Sequence, residues 1–316
     1  MNTKGVGFRA TGVRTLLAHV SSRETLRDAA LSDGLVGPGL GFGNIWFVNA
    51  TKGSDGYSGE APTAAKKTIT AALAKTRAEY DDYVIINGAA TNFYENIVLT
   101  KNKVHLIGTQ GQTLGYRTRM NNSGAGTPTI TVKARDCELA GISPLGDRTL
   151  HQAAVFLDGD NGGIRTWVHD LILNMITPSA GNYCDGILSV GERQTIEDII
   201  MKNCKNGIRI TSGVVATFEI QLRRIVGYAN DVGILIDSLQ EGVGQHGLMA
   251  DDIFIDGYQA AVPDVGVKVT SGFPAFRNMD VGGYGVAQVN NITVGSGRYT
   301  NCRWFPVAAG VSTAFA

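Results

Sequence analysis

The chain has 316 residues, 43% of them hydrophobic and 18% charged, and this composition excludes an intrinsically disordered protein. Lys and Arg together number 28, as do Asp and Glu, so the formal net charge is zero. No basic excess favours nucleic acid or an anionic membrane as a partner. The 41 glycines indicate many tight turns between short strands.

Residues 1–45 are interpreted as an N-terminal arm that docks onto another protein. They contain one predicted helix, "SSRETLRDAAL" (21–31), and a hinge rich in glycine and proline, "GLVGPGLGFG" (34–43). The first residues lack an apolar stretch with a small-residue cleavage site, and no apolar run reaches the roughly 18 residues of a membrane span. We therefore expect synthesis in a cytoplasm, without a signal peptide or a transmembrane segment.

Residues 46–108 are predicted to open a β fold. The strand "IWFVN" (45–49) leads through a loop to a predicted helix over 68–80, which places Ile69, Leu73, Thr76 and Tyr80 on one stripe. Three short β-branched runs follow, "YVIING", "NIVLT" and "KVHLIG", separated by Gly and Asn.

The loop "GSDGYSGEAPTAAKKT" (53–68) raises two possibilities for ligand binding. A Walker phosphate loop needs glycine immediately before Lys67-Thr68, where Lys66 stands, so nucleotide binding is disfavoured. Asp55 and Glu60 are candidate Ca²⁺ ligands, but two carboxylates without a third make a poor site for a hard cation. No other cofactor is indicated.

Residues 109–300 contain two interlaced repeats. One opens short apolar runs with Gly-Ile or Gly-Val at Gly163, Gly186, Gly207, Gly233 and Gly266. The other places Asp170, Asp198, Arg224 and Asp252 at matched positions. Repeats at intervals of roughly 20 to 30 residues, with strands too short for helical crossovers, predict a parallel β-helix whose coils stack at strand spacing.

The stretches "FVNATKGSDGYSGEAPTAAKKTITAAL" (47–73) and "DDYVIINGAATNFYENIVLTKNKVHLIG" (81–108) resemble the N-terminal part of the pectate-lyase-like superfamily. The resemblance covers residues 46–108, and the coil repeats extend it to about residue 300. It implies an all-β fold: a single-stranded, right-handed parallel β-helix solenoid with an N-terminal capping helix. The superfamily includes polysaccharide lyases and hydrolases as well as tailspike, fibre and decoration proteins of bacteriophages.

A glycan-cleaving member of that superfamily would need converging carboxylates, or a basic residue that removes a proton beside a uronate carboxylate. The candidate residues are Asp158, Asp160, Asp185, Glu192, Arg193 (or Arg209) and His246. A strand-connecting turn is the alternative for "LDGDNGG" (157–163). The acidic pairs Glu197-Asp198 and Asp251-Asp252 are interpreted as corner residues before apolar strands.

Aromatic residues and cysteines give two further expectations. Tyr57, Trp167, Tyr183 and Tyr228 are the candidate sugar-stacking residues, with packing in or beside the core as the alternative. The four cysteines lack metal-ligand spacing and are predicted to be buried apolar residues. Cys184 and Cys204 lie about one coil apart, but their unequal distances to the following glycine argue against strict stacking.

The apolar residues 301–316 need cover, from the chain's own solenoid or from a neighbouring chain, and a homotrimer is predicted. We expect a structural virion component of a bacteriophage, of the capsid-decoration, fibre or tailspike type. It would attach to other virion proteins through residues 1–45, and its candidate ligand is a cell-surface polysaccharide. The alternative is a polysaccharide lyase or hydrolase that acts in a lateral groove of the β-helix.

Overall fold

The computed structural model describes residues 43–87, 92–109, 118–121, 123, 126–146, 152–174, 184–214, 217–239, 247–257, 265–283, 298–305 and 313–314. Residues 1–42 of the predicted arm lie outside these ranges. So do Tyr183, His246 and much of the predicted C-terminal segment 301–316.

The regular elements are short strands and one helix. The strands are β1 (Ile45–Asn49), β2 (Asp82–Asn87), β3 (Phe93–Tyr94), β4 (Ile97–Leu99), β5 (Val104–Gly108), β6 (Thr118–Asn121), β7 (Ile130–Val132), β8 (Glu138–Ala140), β9 (Ile142–Pro144), β10 (Val155–Asp158), β11 (Trp167–His169), β12 (Ile172–Asn174), β13 (Ile187–Val190), β14 (Thr195–Lys202), β15 (Asn206–Ile210), β16 (Ile220–Tyr228), β17 (Val232–Ile236), β18 (Leu248–Asp256), β19 (Val265–Val269), β20 (Pro274–Gly282), β21 (Arg298–Phe305) and β22 (Thr313–Ala314). The helix is α1 (Ile69–Lys75).

The strands form three sheets. A 12-stranded sheet has the order β1-β2-β5-β8-β11-β14-β16-β18-β20-β21-β22, with β12 also paired to β14. A 7-stranded sheet has the order β19-β17-β15-β13-β10-β7-β4, and a 3-stranded sheet the order β3-β6-β9. The described pairs are parallel, apart from the antiparallel pair β21–β22. The chain is therefore a mostly β, parallel solenoid of about 6 turns, which confirms the prediction.

The core consists of inward-facing side chains at equivalent positions of consecutive coils. Alternate residues of a strand point to opposite faces, so one inward position repeats as a continuous row. One such row runs through Val84, Leu106, Leu139, Val168, Ile196, Leu222, Ala250 and Phe276, all of them buried.

Helix α1 covers the N-terminal end of this core and confirms the predicted capping helix. Its residues Ile69 and Ala72 are fully buried. The helix begins at Ile69 because several oxygens accept its first amides. Thr68 Oγ1 accepts from the Ala71 N–H at 3.2 Å, and Glu95 Oε1 accepts from the Ile69 N–H at 2.9 Å.

The helix ends at Lys75, five residues short of the predicted end at Tyr80. The N–H of Arg77 donates to Asp82 Oδ2 at 2.7 Å instead of continuing the helix. Lys101 Nζ donates to the Leu73 and Thr76 carbonyl oxygens at 2.9 and 2.6 Å, which satisfies the last turn. The predicted apolar stripe therefore stops early, and Tyr80 is exposed.

The opening loop folds back along β1. The Asn49 N–H donates to the Lys66 carbonyl oxygen at 2.8 Å, and the Phe47 N–H donates to that of Gly59 at 2.7 Å. Gly53 is required sterically, because a Cβ there would lie 2.2 Å from the Lys66 carbonyl oxygen. Gly59 adopts a φ of 86°, which favours glycine.

The Gly-Ile and Gly-Val repeat is a stacked row in the structure, with one exception. Gly186, Gly207, Gly233 and Gly266 occupy equivalent positions, as the strand registers that follow them show. The prediction for Gly163 was wrong, because Ala154 precedes the equivalent strand β10. The row is glycine because long core side chains approach it: a Cβ on Gly207 would lie 2.3 Å from Met201 Sδ.

The second predicted repeat marks a corner of the solenoid. Asp170, Asp198, Arg224 and Asp252 have φ values of 56°, 55°, 51° and 56°. Each follows an outward-facing residue and turns the chain before the next inward-facing one. The interpretation of Glu197-Asp198 and Asp251-Asp252 as corner residues is therefore confirmed, and Asp170 and Arg224 occupy the same corner. Non-glycine residues in this left-handed region cost roughly 1–2 kcal/mol each.

Three features of the remaining chain bear on the predictions. All four cysteines are free and buried, as predicted, and the Lys205 N–H bonds to the Cys184 carbonyl oxygen at 2.9 Å, so Cys184 and Cys204 are neighbours in adjacent coils. Strand β21 continues across residue 300, the predicted end of the coils, into the predicted C-terminal segment 301–316. Strand β22 pairs with it. Within the described ranges, no helix is long and apolar enough to cross a membrane.

Substitution of Gly233 by Ala tests the glycine row. The new Cβ would lie 2.4 Å from Ile255 Cγ2 and 2.5 Å from the Gly266 carbonyl oxygen. We expect a loss of about 1–3 kcal/mol in the free energy of unfolding, measured by urea denaturation. Gly56→Ala is the matched control, since the nearest heavy atom to its Cβ is Ser54 Oγ at 3.6 Å. Equal unfolding midpoints for the two variants would contradict the steric explanation.

Candidate functional site: a lateral histidine–carboxylate network

The predicted catalytic residues that the structure describes do not all lie together. Asp158 ends β10, and Asp160 lies in the turn after it, which Gly162 closes with a φ of 101°. Asp158 Oδ2 accepts from Asn161 Nδ2 at 2.9 Å and lies 3.8 Å from Lys133 Nζ. The Asp160 carboxylate lies against the backbone of Gly213, where a Cβ would be 2.0 Å from its Oδ2.

Asp185 lies apart from that turn, beside the 7-stranded sheet. Its Oδ1 accepts from Asn206 Nδ2 at 2.6 Å, and its Oδ2 lies 3.8 Å from Arg209 Nη1. Arg209 Nε in turn donates to Asp237 Oδ2 at 2.6 Å. Burial raises the pKa of the Asp185 carboxyl, against the hydrogen bond from Asn206 and the charge of Arg209. This trio brings two of the predicted residues, Asp185 and Arg209, together across coils.

Glu192 and Arg193 follow β13 in the next coil, where Gly191 lies against Gly159 of the Asp158 turn. Arg193 Nε donates to Glu219 Oε2 at 2.7 Å, and its Nη1 lies 3.7 Å from Glu192 Oε1. Arg193 is therefore held by carboxylates of its own and the next coil. The remaining candidate, His246, lies outside the described residues.

The candidate metal ligands of the opening loop have different surroundings. Asp55 Oδ1 accepts from the N–H groups of Lys67 and Thr68 at 3.0 and 2.9 Å, so its carboxylate ties the loop to the start of α1. Glu60 is exposed. Among the described residues, no group of three or more His, Cys, Asp or Glu could hold a metal ion.

The candidate sugar-stacking residues lie on separate surfaces. Tyr57 is an exposed residue of the opening loop, whereas Tyr228 on β16 lies beside Phe254 of β18, with ring centroids 6.0 Å apart. Trp167 on β11 stacks on His169, with centroids 4.0 Å apart. Tyr183 is not among the described residues, so three of the four were located and they form no common platform.

Among the described residues, one connected group of titratable side chains was not predicted. We call it the Glu138 network: Tyr83, His105, Glu138, Trp167, His169 and Asp170. Strand register brings it together, because Tyr83, His105, Glu138 and Trp167 are consecutive partners in the outward row of β2, β5, β8 and β11. His169 is two residues beyond Trp167 on the same face, and Asp170 is the corner residue that follows it.

Glu138 is the centre of this network. Its Oε2 lies 2.7 Å from His105 Nδ1, and its Oε1 lies 2.8 Å from His169 Nε2. His169 Nδ1 lies 2.9 Å from Asp170 Oδ2, so both nitrogens of this imidazole face carboxylate oxygens. Tyr83 stacks on His105 with ring centroids 4.3 Å apart. One carboxylate thus links three coils.

The protonation of the network follows from these contacts. Burial alone would raise the pKa of Glu138, but hydrogen bonds from His105 and His169 lower it to about 2. Burial alone would lower the pKa of His169, but its bonds to Asp170 and Glu138 raise it to about 9. At neutral pH, Glu138 is therefore a carboxylate and His169 an imidazolium.

A second set of charges continues from Trp167 along the solenoid. Trp167 Nε1 donates to Glu197 Oε1 at 2.8 Å, and Arg224 Nη2 donates to Glu197 Oε2 at 2.7 Å. Arg224 also binds both oxygens of Asp198, at 2.7 and 2.8 Å. Carboxylates and cations therefore alternate across this lateral face.

The side of the network nearest the N-terminus borders an apolar cluster. Ile85, Ile107 and Ala140 lie on the outward face next to Tyr83, His105 and Glu138, and they are buried with Ile45, Phe47 and Ala65 of the opening segment. The buried surroundings explain why the histidine and carboxylate side chains are largely shielded from water, with His169 only 2% exposed.

Comparisons with known proteins were made for sequence and for structure. No protein-family model matches the chain, and no curated protein matches its sequence. Solved structures with a similar course of the chain include the pectin methylesterase PemA from Erwinia chrysanthemi. Its sequence is 13% identical, the match covers 86% of this chain and 91% of PemA, and the TM-score is 0.42. A pectin methylesterase from Aspergillus niger has 11% identity, 83% and 84% coverage and a TM-score of 0.40. A pectin methylesterase in complex with a hexasaccharide has 15% identity, 76% and 79% coverage and a TM-score of 0.41.

Proposed function

We propose that this chain is a structural component of a bacteriophage particle, of the capsid-decoration, fibre or tailspike type, attached through residues 1–45 and assembled as a homotrimer. The observation that carries the proposal is the pairing of opposite charges between consecutive coils. Such pairs hold one coil to the next and engage the charged side chains in contacts between coils.

The pairs recur along the solenoid. They are Asp136 with Arg165, Arg193 with Glu219, Asp198 with Arg224, Arg209 with Asp237, Asp251 with Arg277, and Asp280 with Arg303. In each pair the partners are 23 to 29 residues apart in sequence, which is about one coil. A single exposed pair contributes roughly 0.2–1 kcal/mol, so the effect depends on their repetition.

Charge pairing suits a rod that must keep its shape in an assembly. Each solenoid coil contacts only its neighbours, and its stability depends on intrinsic and nearest-neighbour terms. Ion pairs between neighbouring coils add to the nearest-neighbour term at every step. The same pairs lower the pKa of Asp136 and of Asp251, because Arg165 and Arg277 bind their charged forms.

An apolar stripe on another lateral face supports the homotrimer. Ile172, Ile200, Val226 and Phe254 are outward partners on β12, β14, β16 and β18, and Tyr228 lies beside Phe254. Phe254 is 42% exposed and Tyr228 is 41% exposed. The exposed side chains of Phe254 and Tyr228 are the part of this stripe that another copy of the chain would cover.

The particle role is tested by mass spectrometry of purified particles from a phage or prophage that encodes the chain. We expect its peptides at a fixed ratio to the capsid or tail proteins after gradient purification. A host-only control preparation should lack them. Consistent absence of the chain from infectious particles would exclude the role.

The homotrimer is tested by sedimentation equilibrium. We expect a mass of three chains of 33.5 kDa each. Phe254→Ser should shift the equilibrium towards the monomer, because it removes an exposed apolar side chain from the stripe. Tyr94→Ser is the matched control, since Tyr94 is 65% exposed but lies in the 3-stranded sheet. A monomeric wild-type chain would contradict this part of the proposal.

A second candidate function is glycan cleavage beside the 7-stranded sheet. The observation that favours it is the buried Asp185 carboxyl, whose raised pKa suits a general acid, next to Arg209 and Asp237. If this function is present, Asp185→Asn should lower the release of reducing ends from a polysaccharide by about 10²-fold or more. Asp160→Asn, which alters an exposed carboxylate, should leave the release unchanged. No release by the wild-type chain from host or plant polysaccharides would exclude this second function.

A further inference from the structure

His169 occupies an unusual electrostatic position. Its side chain is 2% exposed, and its Nε2 and Nδ1 lie 2.8 and 2.9 Å from oxygens of Glu138 and Asp170. A neutral imidazole carries one N–H, whereas an imidazolium carries two. Only the imidazolium can donate to both carboxylates. In the neutral form, one of these carboxylates faces a nitrogen lone pair in a site shielded from water.

We propose that His169 is an alkaline-sensitive latch on the lateral face of the solenoid: its ring proton holds the coil of β8 against the coil of β11, and loss of that proton loosens this face. The proton concerned is the one on Nε2, which faces Glu138 Oε1 of the neighbouring coil. The inference does not depend on the proposed function.

The groups around the latch come from strands β2, β5, β8, β11 and β14 and from the residue before β2. Asp81, just before β2, lies 3.5 Å from His105 Nε2, and Tyr83 of β2 stacks on the His105 ring. His105 of β5 and Glu138 of β8 lie on one side of His169, and Trp167 of its own strand covers a face of its ring. On the other side, Glu197 of β14 is the register partner of His169.

Glu197 does not compete for the proton of His169 through a hydrogen bond of its own. Its two oxygens accept from Trp167 Nε1 and from Arg224 Nη2 of β16. The Arg224 guanidinium is in turn held by Asp198. The two carboxylates that bind His169 directly are therefore Glu138 and Asp170.

The direction of the pH effect follows from linkage. The pKa of His169 rises from its ordinary 6.5 to about 9, so its stabilising contribution is complete below about 6.5 and is lost as the pH rises through about 9. The pKa of Glu138 falls from 4.5 to about 2, so its contribution is complete above about 4.5 and is lost as the pH falls through about 2. The latch is thus fully closed between these two ordinary values and opens on the alkaline side.

The test compares thermal unfolding midpoints of the full-length chain from about pH 6 to about pH 10. The wild-type midpoint should fall by about 5 °C more over this range than that of His169→Gln, which keeps an amide but cannot titrate. Asp251→Asn is the matched control. It breaks the pair with Arg277 on the same sheet, and it should retain the wild-type alkaline fall.

A second measurement keeps the inference falsifiable if His169→Gln does not fold. Nitrogen NMR of the imidazole rings in the wild-type chain should show His169 titrating with a midpoint near 9, with backbone amides of β8 and β11 shifting in parallel. A midpoint at or below about 7 would overturn the latch. An equal alkaline fall in wild type and His169→Gln would overturn it as well.

Discussion

The in-register stacking of parallel coils is the constraint on which the rest of this structure depends. Each residue lies one strand spacing, roughly 4.8 Å, from its equivalents in the coils before and after it. A residue type that suits one position therefore tends to recur at the equivalent position of the next coils, as a row along the solenoid. Inward rows must be apolar, and glycine appears where long core side chains such as Met201 approach the backbone. Like charges repel at this spacing, so several outward positions alternate in sign between coils, as at Asp198 and Arg224.

The corner row shows how stacking and charge act together. Asp198 and Arg224 both adopt the left-handed conformation, at a cost of roughly 1–2 kcal/mol each. This conformation turns two consecutive side chains outward, so that Glu197 and Asp198 present their carboxylates side by side. Arg224 from the next coil binds both, with contacts of 2.7 to 2.8 Å. Backbone strain at the corner is thus offset by an ion pair with two carboxylates, which a regular strand could not present together.

The fold could be predicted from the sequence because each stacked row of residues appears in the sequence as a repeat. The matched corner positions and four of the five glycines were predicted correctly. Gly163 was misplaced because it follows β10 and the short helical turn Gly159–Asn161, whereas the stacked glycines precede their strands. The Glu138 network was missed for a related reason. Its contacts join residues 33 and 31 positions apart, and coil lengths vary, so no fixed period aligns His105, Glu138 and His169. The histidines in "KVHLIG" and "VHDLILN" could have indicated a site, because each lies in a predicted strand. Their common partner, Glu138, is known only from the strand register.

The position of the Glu138 network gives a reason for histidine and glutamate at these outward positions in place of apolar residues. A buried charge network is costly to desolvate, and an apolar row of similar volume is often as stable. Here the outward face changes from the apolar Ile107 and Ala140 to the charged residues after β11. An imidazole suits this border because its ring packs on an aromatic neighbour while its nitrogens bind carboxylates. A one-residue slip between β8 and β11 would turn Glu138 towards the core or away from His169. The network therefore specifies coil register on a face where interchangeable aliphatic side chains would tolerate a slip.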